Sequence, residues 1–268
     1  MKFTKMHGLG NDYIYVNCSS KKVKEPEELA RKISDRHFGV GGDGLILIGK
    51  SKRADVSMRI FNADGSEAEM CGNGGRCVAR LAYLKGIAHK LLTFETLAGI
   101  IKAEVMGERV KLQLPLPYNL TCDLNLVLEG THYLINHITV GVPHVVMWVE
   151  DLQSYPVAEV GKSIRFSEHF KPAGTNVNFA TIKDKSTIAV RTYERGVEDE
   201  TLACGTGSVA SALIANEKKG IESPVSVFTQ GGEILTVHFT KENKTIEEVF
   251  LEGNAHLIYE GELYPETF

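Results

Sequence analysis

The sequence predicts an α+β chain of two strand-rich halves, each built around one helix that starts at a cysteine. Three observations carry this. The pattern Cys-Gly-x-Gly occurs twice, as Cys71-Gly72-Asn73-Gly74 and as Cys204-Gly205-Thr206-Gly207. Each copy follows an acidic turn and a strand-like run with an arginine two places before an aromatic, Arg59 and Phe61 in one, Arg191 and Tyr193 in the other. Each opens a run of small residues that ends in Lys-Gly, at Lys85-Gly86 and at Lys219-Gly220. Matching features in matching order point to a diverged duplication, and 268 residues leave room for two modest domains.

Taken in order, Lys2–Met6 and Tyr13–Asn17 read as strands around the turn Gly8–Asp12. Pro26-Glu27-Glu28 before Leu29, Ala30 and Ile33 predicts a short helix with proline and acids in its first turn. Gly39–Gly44 spells G-x-G-x-x-G, but Leu45–Ile48 after it is strand-like, whereas a dinucleotide fingerprint must open a helix. The loop is therefore read as a tight glycine turn. Asp55–Phe61 alternates as a strand, and the helix after Cys71 carries Val78, Leu81, Ala82 and Leu84 before stopping at Gly86. Strands are predicted at Leu91–Thr96, Ile100–Met106 and Arg109–Leu114. Pro115, Pro117 and Asn119 then break the pattern and suggest domains 1–117 and 118–253, with 254–268 a candidate to return to the first.

The second half gives strands at Leu124–Leu128, Thr131–Val140 and Val145–Val149, the last two separated by Gly141-Val142-Pro143-His144. Val157–Phe170 is predicted helical, Asn176–Ile182 and Thr187–Tyr193 are strands, and Glu194–Glu200 is a turn. The run Val209–Ala215 is apolar or small all round, which predicts a buried helix wrapped by strands. Val225–Thr229, Ile234–Phe239, Ile246–Leu251 and Ala255–Tyr259 complete the strands. Gly205–Ala210 also fits a G-x-G-x-x-A fingerprint, yet a polar turn precedes it where an apolar strand is required.

Composition is that of an ordinary globular protein, 43% hydrophobic and 24% charged with net charge −4. Nothing in it is basic enough to suggest nucleic acid, no apolar run reaches the length of a membrane span, and Met1–Lys5 does not open a signal peptide. Five cysteines, an odd number without C-x-x-C pairs, argue against a disulfide framework or zinc ribbon and for a reducing cytoplasm. Neither a metal nor a cofactor motif occurs.

A helix start leaves backbone N–H groups without helical partners and carries about half a positive charge. A thiol there is expected to be biased toward thiolate, and the same N–H groups can cradle a carboxylate. Free cysteines are commonly buried for structural reasons. Two at matching glycine-rich helix starts point instead to chemistry, with proton removal on one face of a ligand and donation on the other.

These residues resemble the diaminopimelate epimerase family nearly end to end. The carrying stretches are Met6–Asp12, Phe61–Glu67 leading to Cys71–Cys77, and Tyr193–Gly196 leading to Thr201–Gly207. The resemblance implies two pseudo-symmetric, barrel-like β-rich domains, each wrapped around a central helix, with the active site in the cleft between them. It implies a pyridoxal-phosphate-independent isomerase that interconverts LL- and meso-diaminopimelate for lysine and peptidoglycan precursor synthesis, as a cytoplasmic homodimer without cofactor. By it, Cys71 and Cys204 are the catalytic bases, assisted by His144 and Glu194. Asn11, Asn62, Asn73, Asn176, Glu194 and Arg195 match substrate-binding positions, as do the backbones at Gly72, Gly205 and Thr206. The chain departs from the family pattern at Val142, at Gly44 and in a longer Gly196–Glu200 turn. Aligning the halves on their arginines pairs Gly44 with Asn176. The rival readings are a proline or hydroxyproline racemase, a thiol redox protein, and a non-enzymatic clamshell that binds a small ligand.

Overall fold

The computed structural model describes residues 1–243 and 245–264. The chain divides into two compact units, Met1–Gln113 with Gly253–Phe268, and Leu114–Glu252.

The first unit opens with β1 (Lys2–Gly8) and β2 (Asn11–Asn17), followed by α1 (Pro26–Ser34), β3 (Gly44–Gly49), β4 (Val56–Asn62) and the short β5 (Glu67–Ala68). After α2 (Gly72–Leu84) come β6 (Leu91–Thr96), β7 (Gly99–Met106) and β8 (Arg109–Gln113). Two steps are parallel, β2 to β3 and β4 to β6, and each is crossed by a helix, as a parallel connection requires. The remaining pairs are antiparallel. Alternation along the strands then sorts the side chains. Tyr13, Tyr15, Ile46, Ile48, Met58 and Ile60 share a core with α2, while Ile14, Val16, Leu45, Leu47 and Phe61 pack on the other side against Leu29, Ala30 and Ile33 of α1. Strands β1, β2, β3, β4, β7 and β8 all contact α2, which is therefore enclosed by them.

The second unit repeats the plan. It runs β9 (Tyr118–Leu128), β10 (Thr131–Val140), β11 (Val142–Trp148), α3 (Val157–Arg165), β12 (Asn176–Ile182), β13 (Thr187–Glu194) and β14 (Asp199–Thr201). Helix α4 (Gly205–Lys219) precedes β15 (Val225–Thr229), β16 (Ile234–Glu242) and β17 (Thr245–Asn254). Again two steps are parallel and helix-crossed, β11 to β12 and β13 to β15. The last strand, β18 (His256–Glu262), pairs antiparallel with β1 of the first unit. Every residue from Gly207 to Ala215 in α4 is buried, as its small, apolar composition predicts. Its two interior serines satisfy themselves within the helix, Ser208 Oγ donating to Cys204 O at 2.9 Å and Ser211 Oγ to Gly207 O at 2.8 Å. Gly220 closes α4 at φ 68°.

Several boundaries differ from the sequence reading. β9 begins at Tyr118, six residues before Leu124, because Asn119 and Asp123 take positive φ and the register with β10 slips twice, which hides its alternation. β11 begins at Val142, so Pro143 and His144 lie inside a strand, the proline near its start where a missing N–H is tolerated. The helix predicted over Val157–Phe170 stops at Arg165 and resumes as a single 3-10 turn at Glu168–Phe170, with extended Ser167 between. The turn after Tyr193 contains β14, too short to show a period. Among the described residues no helix is long and apolar enough to cross a membrane.

Candidate active site

Cys71 caps α2 with extended backbone, φ −138° and ψ 119°, and its sulfur accepts the Gly74 N–H at 3.4 Å. The thiol donates to Asn11 Oδ1 at 3.3 Å, and Asn11 Nδ2 is anchored on Asp43 Oδ2 at 2.6 Å. Tyr13, the next inward residue of β2, hydrogen-bonds to Cys71 and Asn11; burial, then the charge of Cys71, pushes its hydroxyl well above the usual tyrosine range. Asp12 is buried enough to resist ionisation, yet Arg36 at 2.8 Å and Lys5 at 2.7 Å hold its carboxyl below the usual range. Asn73 Oδ1 accepts from the fully buried Arg76 at 2.6 Å, and Asn62 donates to Ser66 Oγ at 3.0 Å within its own turn. Gly72 is open: nothing lies within 4 Å of where a side chain would start.

In the second unit Cys204 caps α4, φ −114° and ψ 113°, with its sulfur 3.7 Å from Thr206 Oγ1. It is more deeply buried than Cys71, at 6% exposure. Burial, then the Glu194 charge, pushes the thiol up to about 12 against the pull of the Thr206 and Gly207 N–H groups. The thiolate bias expected from the helix start is thus reversed at this cysteine. Burial also raises Glu194, whose Oε2 accepts from Thr201 Oγ1 at 2.9 Å. Asn176 bridges three segments, accepting the Arg195 N–H at 2.8 Å and donating to Pro143 O at 3.3 Å, while the Arg195 guanidinium donates to Ala173 O at 2.9 Å. His144 is fully buried on β11. Burial, then the charges of His137 and Arg195, lowers it to about 3, so the ring is neutral.

The duplicated arginines make the same fork in both units, and Arg191 also donates to the carbonyls of Leu152, Gln153 and Tyr155. Arg59 grips Glu67 through Nε at 2.6 Å and Nη2 at 2.9 Å; Arg191 grips Glu200 at 2.6 and 2.7 Å. Each glutamate lies four residues before its cysteine, opposite the aromatic of the preceding strand. A bidentate fork of this kind fixes geometry as well as charge, and here it ties the cysteine loop to the strand beneath.

Strand register makes the equivalence residue-specific. Gly44 faces Asn62 as Asn176 follows the same ladder to Val177–Tyr193, and Tyr13 faces Gly44 as His144 faces Asn176. Tyr13 thus stands where His144 stands, and Asn11 where Val142 stands. A side chain at Gly44 would run into Phe61 O and the Tyr13 ring, so the residue must be glycine here. In the longer turn, Glu198 accepts from Gly196 N at 3.0 Å and from Arg165 at 3.0 Å. Sequence reasoning passed over Tyr13, Asp43, Asn178 and Thr192. The available signal was two asparagines at alternate places in Asn176–Ile182, a strand whose first five residues are all buried. Among the described residues no cluster of three or more His, Cys, Asp or Glu side chains is placed to hold a metal.

Two enclosed helices, each capped by a cysteine in one repeated strand topology, define the class: a duplicated α+β fold with one thiol per half. Solved structures share the fold. A Bacillus anthracis phenazine biosynthesis protein of the PhzF family matches with a TM-score of 0.76 at 19% identity, over 98% of this chain and 99% of that one. A hydroxyproline epimerase from Agrobacterium vitis, with trans-4-hydroxy-L-proline bound, gives 0.65 at 16% identity, over 98% and 90%. At such identities the likeness concerns the fold alone. The family model for diaminopimelate epimerase matches residues 3–114 and 137–258. A protein of Aquifex aeolicus (strain VF5) described as diaminopimelate epimerase is 44% identical over 280 residues, covering 100% of this chain and 99% of its own length. The chain belongs to the diaminopimelate epimerase family.

Proposed function

We propose that this isomerase interconverts LL- and meso-diaminopimelate by a two-base mechanism without a cofactor, with Cys71 and Cys204 acting on opposite faces of one α-carbon. The observation that carries the reading is the matched pair of cysteine-capped helix starts, each braced by its own Arg–Glu fork. One sulfur takes the α-proton, the C–H electron pair moves into the carboxylate, and the other thiol delivers its proton to the opposite face. Afterwards the two sulfurs have exchanged protonation states. Charge that grows on the substrate carboxylate is met by helix-start N–H groups, which gain strength when water is excluded. Because burial, reinforced by the Glu194 charge, favours the protonated thiol at Cys204 in the resting protein, Cys204 is the thiol ready to donate.

Asn11, Asn62, Gly72 and Asn73 of the first unit, with Asn176, Glu194, Arg195, Gly205 and Thr206 of the second, are assigned to substrate, and His144 and Glu194 to support of the thiols. Domains 1–117 with 254–268, and 118–253, each supply one thiol. Family resemblance supports a homodimer, and five cysteines without a disulfide pattern support a cytoplasmic location.

The purified protein, in reducing buffer, should epimerise LL-diaminopimelate far faster than lysine, proline or hydroxyproline, followed by chiral chromatography. A site with buried polar partners rejects a ligand that leaves them unpaired, at about 1–3 kcal/mol per group. Comparable rates on proline and diaminopimelate, or none on diaminopimelate, would overturn the substrate assignment.

A further inference from the structure

The two units differ in kind at one place. Ile46 on β3 pairs with Ile60 on β4, and at the same register Asn178 on β12 pairs with Thr192 on β13. All four side chains are buried. Each inner strand residue also lies against the second glycine of its cysteine loop: a side chain at Gly74 would press on Ile46, and one at Gly207 would collide with Asn178 Oδ1. Two isoleucines close this spot in the first unit, so the fold itself does not demand polar groups. In the second unit a carboxamide and a hydroxyl are buried there, at 0% and 3% exposure, which is costly unless they are fully bonded.

They are bonded, and the bonds have a fixed polarity. Asn178 Nδ2 lies 2.8 Å from Val145 O, which can only accept, so the amide nitrogen must face it. The Thr192 hydroxyl donates to Asn178 Oδ1 at 2.9 Å. The second amide hydrogen is then directed at His144 Nδ1, 3.3 Å away. A neutral imidazole that accepts at Nδ1 carries its proton on Nε2. Nε2 of His144 is buried and has no hydrogen-bond partner among the described residues. In the first unit the equivalent place holds Tyr13, whose hydroxyl needs no choice of tautomer.

We propose that Asn178, backed by Thr192, is a positioning residue that locks His144 in its Nε2–H tautomer, so that His144 offers the site a hydrogen-bond donor at Nε2 and not a base. The proposal deepens the site reading above and rests on His144 belonging to that site. The same amide packs under Gly207, which couples the orientation of the ring to the first turn of α4 and hence to Cys204.

The test is two-bond proton–nitrogen correlation NMR on the full-length protein with labelled histidine, with the His144 signals identified by their loss in His144→Gln. Wild type should show a protonated Nε2 and a bare Nδ1. In Asn178→Asp the carboxylate can only accept, so the proton should move to Nδ1. The double variant Asn178→Ile with Thr192→Ile copies the first unit, so it should fold, and its His144 should no longer hold one tautomer. Both variants should lower kcat on LL-diaminopimelate by about 100-fold, within the range seen when one preorganised hydrogen-bond donor is lost, with KM changed much less. Nδ1–H in wild type, or an unchanged Nε2–H tautomer in either folded variant, would overturn the proposal. The tautomer is read without turnover, so a protein that proves inactive on diaminopimelate still decides this question.

Discussion

At Cys204 two effects oppose each other, and their sizes decide the resting state of the site. Helix-start interactions are worth about 0.3–1 kcal/mol, less than one pKa unit at about 1.4 kcal/mol each. Burial, reinforced by the Glu194 charge, is larger and leaves Cys204 protonated. Cys71 is partly exposed and lacks such a carboxylate neighbour among its hydrogen-bond partners. Since the thiolate is the nucleophile, iodoacetamide at neutral pH should label Cys71 well before Cys204, read by peptide mass spectrometry. Glu194→Gln removes a charge that raises Cys204, so it should speed labelling of that residue. Faster labelling of Cys204 in wild type would contradict this asymmetry. The cysteines themselves were legible in the sequence because both sit in a repeated motif. The raised pKa of Cys204 was not, because it depends on burial and on a glutamate ten residues upstream brought close only by the β13–β14 turn. The pairing of Asn178 with Thr192 was illegible for a similar reason: the alternate asparagines of β12 hint at Asn178, but only the register places Thr192 opposite it.

The element that matters most is the first turn of each central helix, where glycine serves two separate purposes. Gly72 leaves space in front of the helix start, with nothing near its missing side chain. Gly207 instead lets α4 close down on Asn178. Gly207→Ala should therefore destabilise the protein by about 1–3 kcal/mol through overpacking, whereas Gly72→Ala should leave stability within about 0.5 kcal/mol of wild type. Urea unfolding curves of the two variants check this, and equal stabilities would show that the close approach at Gly207 is not a constraint. Long alternating strands and the two capped helices were readable from periodicity, down to the buried, small-residue character of α4. β5 and β14 were not, since strands of two or three residues carry no period. Nor was the start of β9, where positive φ at Asn119 and Asp123 breaks the alternation.

For the whole molecule, duplication is the organising fact, and it was visible as spacing before it was visible as structure. Arg59, Glu67 and Cys71 in one unit recur as Arg191, Glu200 and Cys204 in the other, and helix-crossed parallel steps recur with them. Divergence between the copies lies at particular residues: Asn11 against Val142, Tyr13 against His144, Ile46 and Ile60 against Asn178 and Thr192. A symmetric scaffold with unlike linings suits a reaction whose two proton transfers occur on unlike faces of one carbon. That reading stands on two separate bases. A single base would return the abstracted proton, or one exchanged from solvent, to either face, while two thiols deliver to the product a proton that came from solvent. The most direct measurement is epimerisation of LL-diaminopimelate in deuterated water, stopped early, with mass spectrometry of the separated isomers. The two-thiol account predicts deuterium at the α-carbon of the meso product and little in the recovered LL substrate; equal early labelling of both isomers would contradict it.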